Sequence, residues 1–248
     1  MLIRHAIHSR AVLKSSSAMR WTGAVTPGVL LALATLPVMA NPVGVTVTTG
    51  AATISSPNSH QTDIDQSSEN VVIDWSSFNI GAGQITQFVQ PNAQAIAVNR
   101  IGGSNASQIM GTLDANGRVV LIDGNGIVFG KGSQVDVGSL VATSTDGSDS
   151  DLLGDNFALA GQTNASIVNR GTIAANSGGL VALVAPHVSN SGTVSAKLGT
   201  VALGGATQFT VDFAGDGLVS FAAQGAGPAS VTNTGRLSGA NVSLTARA

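Results

Sequence analysis

Cysteine and tyrosine are absent from the 248-residue sequence, and aromatic residues make up 4% of it. Without cysteine the chain forms no disulfide and offers no thiolate ligand to a metal ion, so its stability must come from packing and hydrogen bonding. Glycine is abundant instead, with 31 residues, and the small and β-branched residues beside it suit short, tightly stacked strands. The length permits one large all-β domain or two small ones.

Charge is also scarce. Asp, Glu, Lys and Arg make up 10% of the chain, and the formal net charge is −2. Residues 1–40 hold four bases and no acid, namely Arg4, Arg10, Lys14 and Arg20. The remainder carries seven bases against 13 acids, a balance of −6. Because phosphate binding requires clustered Lys and Arg, this mildly acidic body argues against a nucleic-acid partner.

Residues 1–40 are predicted to be an extended signal peptide. The basic stretch is followed by an apolar run at 29–36 and by Val38, Met39 and Ala40, which form a small-residue cleavage site. Cleavage after Ala40 would make Asn41 the new N-terminus. The alternative is a membrane anchor, but the run is about half of the roughly 20 residues that span a bilayer.

The densest mixture of strand residues and turn glycines lies at 116–144. Residues 119–122 are apolar, and the following Asp-Gly-Asn-Gly at 123–126 tolerates positive φ, which predicts a strand and a tight turn. Residues 127–129 form the next apolar stretch, 130–132 turn again, and 135–137 and 140–141 begin another short pair. Strands this short with glycines this regular favour a coiled sheet over a hairpin meander.

Internal repeats indicate the architecture. Segments beginning at Gly111, Gly171 and Gly192 share the pattern Gly-Thr-aliphatic, and Asn-x-Gly recurs at 169–171, 190–192 and 233–235. The intervals are near multiples of about 20 residues, the size of one β-solenoid coil of stacked parallel strands. Leucine-rich repeats share this period, but they need a Leu framework and a helical segment that are not found. Asn at the corners is expected to stack into hydrogen-bonded ladders.

A second strand of each coil is visible at 180–184, 200–203 and 241–244, with Val and Leu expected to point inward and small or polar residues outward. Before the repeats, alternating residues at 43–47 and 50–54 predict strands that cover a sheet edge, with a break at 55–59. Trp75, Phe78 and Phe88 are compatible with a carbohydrate platform, but large aromatics at strand spacing are more often core.

A polar segment at 143–155 interrupts the repeats. Its four acids would suit calcium, but EF-hand spacing and the nonapeptide of calcium β-rolls are absent, so a solvated acidic loop is expected; the acids are Asp146, Asp149, Asp151 and Asp155. Glycines at 124, 126 and 130 do not form a dinucleotide motif, because the spacing is GxGxxxG and no helix follows.

Five ordered blocks within residues 41–144 resemble the N-terminal secretion domain of two-partner secretion exoproteins, of which filamentous haemagglutinin is the type case. The blocks are GAATI at 50–54, NVVIDWSSFNIG at 70–81, FVQPNAQAIAVNRI at 88–101, IMGTLDANGRVVLIDGNGIVFG at 109–130 and VDVGSLVATS at 135–144. The resemblance implies a right-handed parallel β-helix with N-terminal cap strands. The internal repeats predict that 145–248 continues the β-helix as repeat coils.

The resemblance also implies a partner and a location. The exoprotein would be exported to the periplasm, recognised there by the periplasmic domains of an outer-membrane Omp85-type transporter, and secreted to the bacterial surface. Its downstream role would be adhesion or haemagglutination, with a glycan or protein of a host or cell surface as the ligand.

Two groups of residues are candidates for transporter recognition. Asn99 and Arg100 lie in a matching block, although Arg100 is also expected to pair with a nearby acid or carbonyl. The family's Asn-Pro-Asn-Gly-Ile motif is replaced by Asp123, Gly124, Asn125, Gly126 and Ile127. Loss of Pro removes a φ restraint, but Asp retains the Asx-type acceptor that supports the turn.

The alternative class is a carbohydrate-binding or polysaccharide-degrading β-helix protein. Such an enzyme needs converging carboxylates, often with a base or calcium. His60 and His187, the histidines of the body, lie near no Ser or Asp motif, and Asp123 and Asp136 are the nearest approach to a carboxylate pair. The sequence therefore predicts a non-enzymatic protein with no catalytic residue, cofactor or metal site.

Overall fold

The computed structural model describes residues 41–247 apart from 153, 155, 162, 214–218 and 222–226. The predicted signal peptide, including Ala40, lies outside the described residues. The strands, in chain order, are β1 (Thr46–Thr49), β2 (Ala52–Asn58), β3 (Gln61–Gln66), β4 (Asn70–Trp75), β5 (Ile85–Val89), β6 (Ile96–Ile101), β7 (Ser107–Ile109), β8 (Thr112–Ala115), β9 (Arg118–Asp123), β10 (Ile127–Phe129), β11 (Gln134–Val137) and β12 (Ser139–Thr143).

A single-turn helix, α1 (Asp149–Leu152), follows β12. The remaining strands are β13 (Asn156–Ala160), β14 (Ser166–Asn169), β15 (Thr172–Ala175), β16 (Leu180–Ala185), β17 (His187–Asn190), β18 (Thr193–Gly205), β19 (Gln208–Asp212), β20 (Val219–Phe221), β21 (Ser230–Asn233) and β22 (Arg236–Ala246).

The chain winds into a right-handed parallel β-helix with three faces. Face A stacks β3, β5, β8, β11 and β15 with the first halves of β18 and β22; face B stacks β4, β6, β9, β12 and β16 with their second halves; face C stacks β7, β10, β14, β17 and β21. Each coil visits the faces in the order A, B, C. The predicted rungs are confirmed, because Thr172 lies beside Thr193 and Thr193 beside Arg236 in parallel register.

The interior is filled by aliphatic side chains that repeat from coil to coil. On face B, one buried column contains Val71, Ala97, Val119, Leu140, Val181 and Val201. Trp75, Phe78 and Phe88 are 2% exposed or less, which confirms the core interpretation over the carbohydrate platform. Trp75 and Phe78 meet edge to face, with ring centroids 5.5 Å apart.

The predicted asparagine ladder forms at the corner between faces C and A. Asn169 Nδ2 donates to Asn190 Oδ1 at 2.7 Å, and Asn190 Nδ2 donates to Asn233 Oδ1 at 2.7 Å. Glycine follows two positions later because the coils approach closely there: a Cβ on Gly192 would lie 2.1 Å from the carbonyl oxygen of Gly171. The repeated Asn-x-Gly motif therefore marks the corner between faces C and A of the β-helix.

Two antiparallel strands cap the first coil. β1 pairs with β4 and β2 pairs with β3, so the predicted covering of the sheet edge is confirmed. The predicted break at 55–59 is wrong, because β2 runs to Asn58 and turns at 59–60, with an irregular register between Ser55 and Asn58. Pro57 is tolerated there because β2 ends the order of its sheet, where a missing N–H costs no ladder bond.

Two excursions from the coil, 144–165 and 206–229, leave from the corner between faces B and C. Within them, β13, β19 and β20 form a three-stranded antiparallel sheet, named here the accessory sheet. It covers the outward side chains of face B, such as Val120 and Ala182, which are fully buried. Leu180 and Val184 point outward into this second cluster. The prediction that Val and Leu point inward is therefore confirmed for Val181 and Leu183 and wrong for Leu180 and Val184.

The acidic segment is folded onto the coil, while Asp146 and Asp149 remain 48% and 42% exposed at its surface. Asp146 and Asp149 pair with Arg100, and Leu152 of α1 is fully buried in the second apolar cluster. Asp151 accepts a hydrogen bond from the hydroxyl of Ser148 at the start of the helical turn. Asp155 lies outside the described residues.

Candidate recognition site

The turn at 123–127 connects β9 to β10 at the corner between faces B and C. Asp123 is fully buried and uses both carboxylate oxygens. Its Oδ2 accepts the N–H and the hydroxyl of Ser107 at 2.9 and 2.7 Å, and its Oδ1 accepts the N–H of Asn125 at 2.9 Å. The Asx-type hydrogen bond expected of Asp at this position is present.

Glycine is required at position 126 for two reasons. Its φ is +104°, and a Cβ there would lie 2.4 Å from the carbonyl oxygen of Ser166 in the next coil. Gly124 and Asn125 are exposed, whereas Ile127 is fully buried. Asn125 Nδ2 also donates to the carbonyl of Gly103 at 2.7 Å. The folded turn thus presents Gly124 and Asn125 to a partner and hides the other members of the motif.

Asn99 points into the core. It is fully buried, and its Oδ1 accepts the indole N–H of Trp75 at 2.9 Å. Its Nδ2 lies 3.2 and 3.3 Å from the carbonyl oxygens of Ala97 and Val120. Asn99 therefore satisfies a buried tryptophan in the folded domain, and no part of its side chain is available to a partner in that state.

Arg100, the next residue, points outward and pairs with three acids. Its Nε lies 2.7 Å from Asp146, and its NH1 lies 2.9 Å from Asp149 and 3.5 Å from Asp74. NH2 donates to the carbonyl of Gly147 at 3.1 Å. The structure thus places Arg100 in the contacts with acids and a carbonyl that were expected as its structural role.

Opposing effects act on the pKa of Arg100. Desolvation lowers it, but hydrogen bonds and charge from Asp146 and Asp149 raise it further, so the net shift is upward. The guanidinium is therefore charged throughout the physiological pH range. Its side chain is 23% exposed, so the cluster is only partly screened by solvent.

The two candidate groups are neighbours in space. β6 and β9 lie side by side in parallel, with Ile101 opposite Asp123 and Arg100 opposite Ile122. Sequence reasoning missed Ser107, the partner of Asp123. Its position could have been inferred from the coil period, because Ser107 is in parallel register with Ile127, one coil later along the chain.

The carboxylates considered for catalysis do not converge. Asp123 is buried at the corner between faces B and C, whereas Asp136 is exposed on face A. Among the described residues, no group of three or more His, Asp or Glu side chains is arranged to hold a metal ion. Nor does that part of the chain contain a helix of the length and apolarity needed to cross a bilayer.

Antiparallel strands over the first coil, parallel coils and an Asx-stabilised corner define a capped β-helical domain. The family model described as "TPS secretion domain" matches residues 38–248. The chain therefore belongs to the family of secretion domains of two-partner secretion. The description of this family names secretion and no enzymatic activity. The matched range includes the accessory excursions as well as the five blocks.

Similar proteins come from Haemophilus influenzae. Two of them are named "Heme/hemopexin-binding protein". The first, from strain Rd, is 43% identical over 105 residues, which cover 42% of this chain and 12% of that protein. The second is 43% identical over 97 residues, which cover 39% of this chain and 10% of that protein. The crystal structure of the HMW1 secretion domain superposes with a TM-score of 0.70 at 30% identity, covering 82% of this chain and 60% of that one. The chain thus spans about a tenth of the length of these curated relatives.

Proposed function

We propose that this chain is the export module of an exoprotein and is recognised in the periplasm by an outer-membrane Omp85-type transporter. The observation that supports this most directly is the family match over 38–248, which includes every described strand. Residues 1–40 act as the extended signal peptide and are removed between Ala40 and Asn41. The folded body then reaches the cell surface or the medium through the periplasm.

Recognition of the candidate residues takes place before the coils close. In the folded domain Asn99, Asp123 and Ile127 are fully buried, so a transporter contact with them requires an unwound chain. Gly124 and Asn125 remain exposed in either state. The transporter's periplasmic domains therefore bind an unfolded or partly folded segment centred on 99–127.

The downstream role we propose is surface adhesion or haemagglutination, with a glycan or protein of a host or cell surface as the ligand. The likeness to the heme/hemopexin-binding proteins covers 12% and 10% of those proteins, so it supports a shared export step and gives no support to a shared ligand. No nucleic acid is involved, because the body is acidic.

Co-expression tests the export step. The tagged full chain is expressed with and without a candidate Omp85-type transporter gene, and the protein in the medium is measured by immunoblot. We expect release to depend on the transporter and to fall when Asn125 and Asn99 are replaced by Ala. The matched control is Asn116→Ala, an asparagine at a different corner, between faces A and B, which should leave release unchanged.

Release at equal levels without the transporter would contradict the proposal. It would favour the second class, a carbohydrate-binding solenoid exported by another route. Turnover of an acidic polysaccharide that is abolished by replacing Asp123 or Asp136 would favour a polysaccharide-degrading enzyme.

A further inference from the structure

Face B has an apolar outer surface as well as an apolar inner one. Alternate residues of its strands point away from the interior and are buried in a second cluster, separate from the main core: Val72, Ile96, Val98, Val120, Ile122, Val141, Leu180, Ala182, Val184 and Ala202. They extend over six successive coils, a distance of roughly 25 Å at the usual strand spacing. Left uncovered, this would be a continuous apolar surface of a size that marks interaction sites.

The accessory sheet and α1 lie over this surface and are together named the cover. Leu152, Leu159 and Val211 are 1% exposed or less, and Phe209 is 3% exposed. Leu159 and Phe209 are opposite one another in the antiparallel pair of β13 and β19, so both excursions contribute to one contact layer. The cover exists only when the two excursions meet.

Two arginines of face B fasten the cover at its margins. Arg100 holds the first excursion through Asp146 and Asp149. Arg118, at the start of β9, lies 4.8 Å from the ring centroid of Phe213 and 3.4 Å from its carbonyl oxygen, just beyond β19. These contacts are partly exposed to solvent, unlike the layer between them.

The paired strands of the cover are farther apart in the sequence than the paired strands of the coil. Thr172 pairs with Thr193 in the very next coil, whereas Ala158 pairs with Thr210 across two intervening rungs of face B, β16 and β18. Closing a longer loop costs more entropy, and a sheet of strands with five, five and three residues is marginal without the surface beneath it. Local contacts form first, and elements of this kind open first.

We propose that the accessory sheet docks after the coils have wound and is released as a unit from the outer surface of face B. The coil beneath stays wound when the cover opens. This inference does not depend on recognition by a transporter, because it concerns the purified domain alone.

The absence of cysteine permits a direct test with an engineered disulfide. Ala158 and Thr210 are opposite one another on the solvent side of the sheet. Gly161 N–H donates to the carbonyl of Thr207, the residue directly opposite, so these two residues form a hydrogen-bonded pair. Along an antiparallel ladder, hydrogen-bonded pairs alternate with non-hydrogen-bonded pairs. Ala158 and Thr210 thus occupy a non-hydrogen-bonded position, where side chains are closest and a disulfide fits. Thr53→Cys with Asp65→Cys, exposed and opposite at a hydrogen-bonded position of the cap hairpin, is the control for oxidation away from the accessory sheet.

Hydrogen exchange and binding of the apolar dye anilinonaphthalene sulfonate are the measurements, in mild urea where far-UV circular dichroism still reports an intact coil. We expect amides of β13 and β19 to exchange together and at least about tenfold faster than those of β9 and β12. Oxidising the Ala158→Cys/Thr210→Cys variant should slow that exchange and abolish the dye signal, whereas oxidising the control should change neither.

A second variant does not rely on the disulfide. Leu159→Ser should raise dye binding several-fold while the coil signal is retained, and the neighbouring exposed Ala158→Ser should not. Exchange of the accessory strands at the same rate as β9 and β12 would overturn the proposal, as would dye binding that oxidation leaves unchanged. Loss of the coil signal in Leu159→Ser at the same urea concentration would also overturn it, because the cover would then be inseparable from the core.

Discussion

Ser107 donates both its backbone N–H and its hydroxyl to the same oxygen, Oδ2 of Asp123. Since the other oxygen accepts the N–H of Asn125, this corner requires two acceptors on one side chain. A carboxylate supplies both, whereas the Asn of the family motif supplies one. At position 123 this chain has Asp where the family has Asn. Ser107, which lies against it, uses the additional acceptor that the carboxylate supplies.

Asp123→Asn should lower the free energy of unfolding by about 1–2 kcal/mol, because an amide N–H would replace one acceptor. Asp123→Ala should cost more, about 2–4 kcal/mol, since the hydroxyl of Ser107 and the N–H of Asn125 would lose their acceptor. Urea unfolding measures both. Combining Asp123→Asn with Ser107→Ala should cost less than the sum of the two single changes, and strict additivity would contradict the coupling.

The asparagine ladder predicts a graded response. Asn190→Ala should reduce the free energy of unfolding by about 1–3 kcal/mol, because Asn190 is fully buried and is bonded on both sides, so that Asn169 loses its side-chain acceptor. Asn233→Ala, at the exposed end of the ladder, should cost less. Thermal unfolding followed by circular dichroism tests the order, and an equal loss at both positions would rule out the ladder as the cause.

Replacing Arg100 by Met should destabilise the domain by about 1–2 kcal/mol, between the values typical of exposed and buried ion pairs. The loss comes from Asp146 and Asp149, which would face one another without a cation. Because the acids are 42–48% exposed, raising the salt concentration should shrink the difference from the unaltered protein. Lys131→Met, at an exposed turn, is the control and should show no such change.

Trp75 is a natural reporter of the first coil. Tyrosine is absent, and Trp75 is the sole tryptophan of residues 41–248. Trp75→Phe should cost about 1–3 kcal/mol, because Asn99 Oδ1 would lose its indole donor inside the core. Adding Asn99→Leu should recover part of that loss in urea unfolding, since the amide oxygen left without its indole donor is then removed. A double variant less stable than Trp75→Phe would contradict this account.

The coil was predictable because its determinants are local and periodic. Gly and Asn mark the corners, and short aliphatic runs mark the rungs, so the register of Thr172 with Thr193 could be inferred from spacing. The aromatic core could be inferred from residue type in the same way. The strand through Pro57 was missed because a proline that breaks an inner strand is acceptable in an edge strand.

The accessory sheet was not predictable, since its strands carry no repeat and pair across a long loop. The clue lay in face B itself, where residues 180–185 are apolar without alternation, a pattern typical of a sheet buried on both sides. Likewise, nothing near Arg100 in the sequence identifies Asp146 and Asp149 as its partners. The two groups of candidate residues become neighbours only because β6 stacks on β9, a pairing that the sequence pattern did not predict.

Both excursions depart from and return to the same corner, and the coils on either side keep their register. At the corresponding corner between β16 and β17 the connection is Pro186 alone, between β9 and β10 it is the short turn at 124–126, and between β12 and β14 it is the whole excursion at 144–165. Connections of very different length are therefore accommodated there. This corner is consequently an insertion point for protein engineering: a foreign epitope grafted at it would be displayed along one side of the rod without disturbing the winding of the turns above and below.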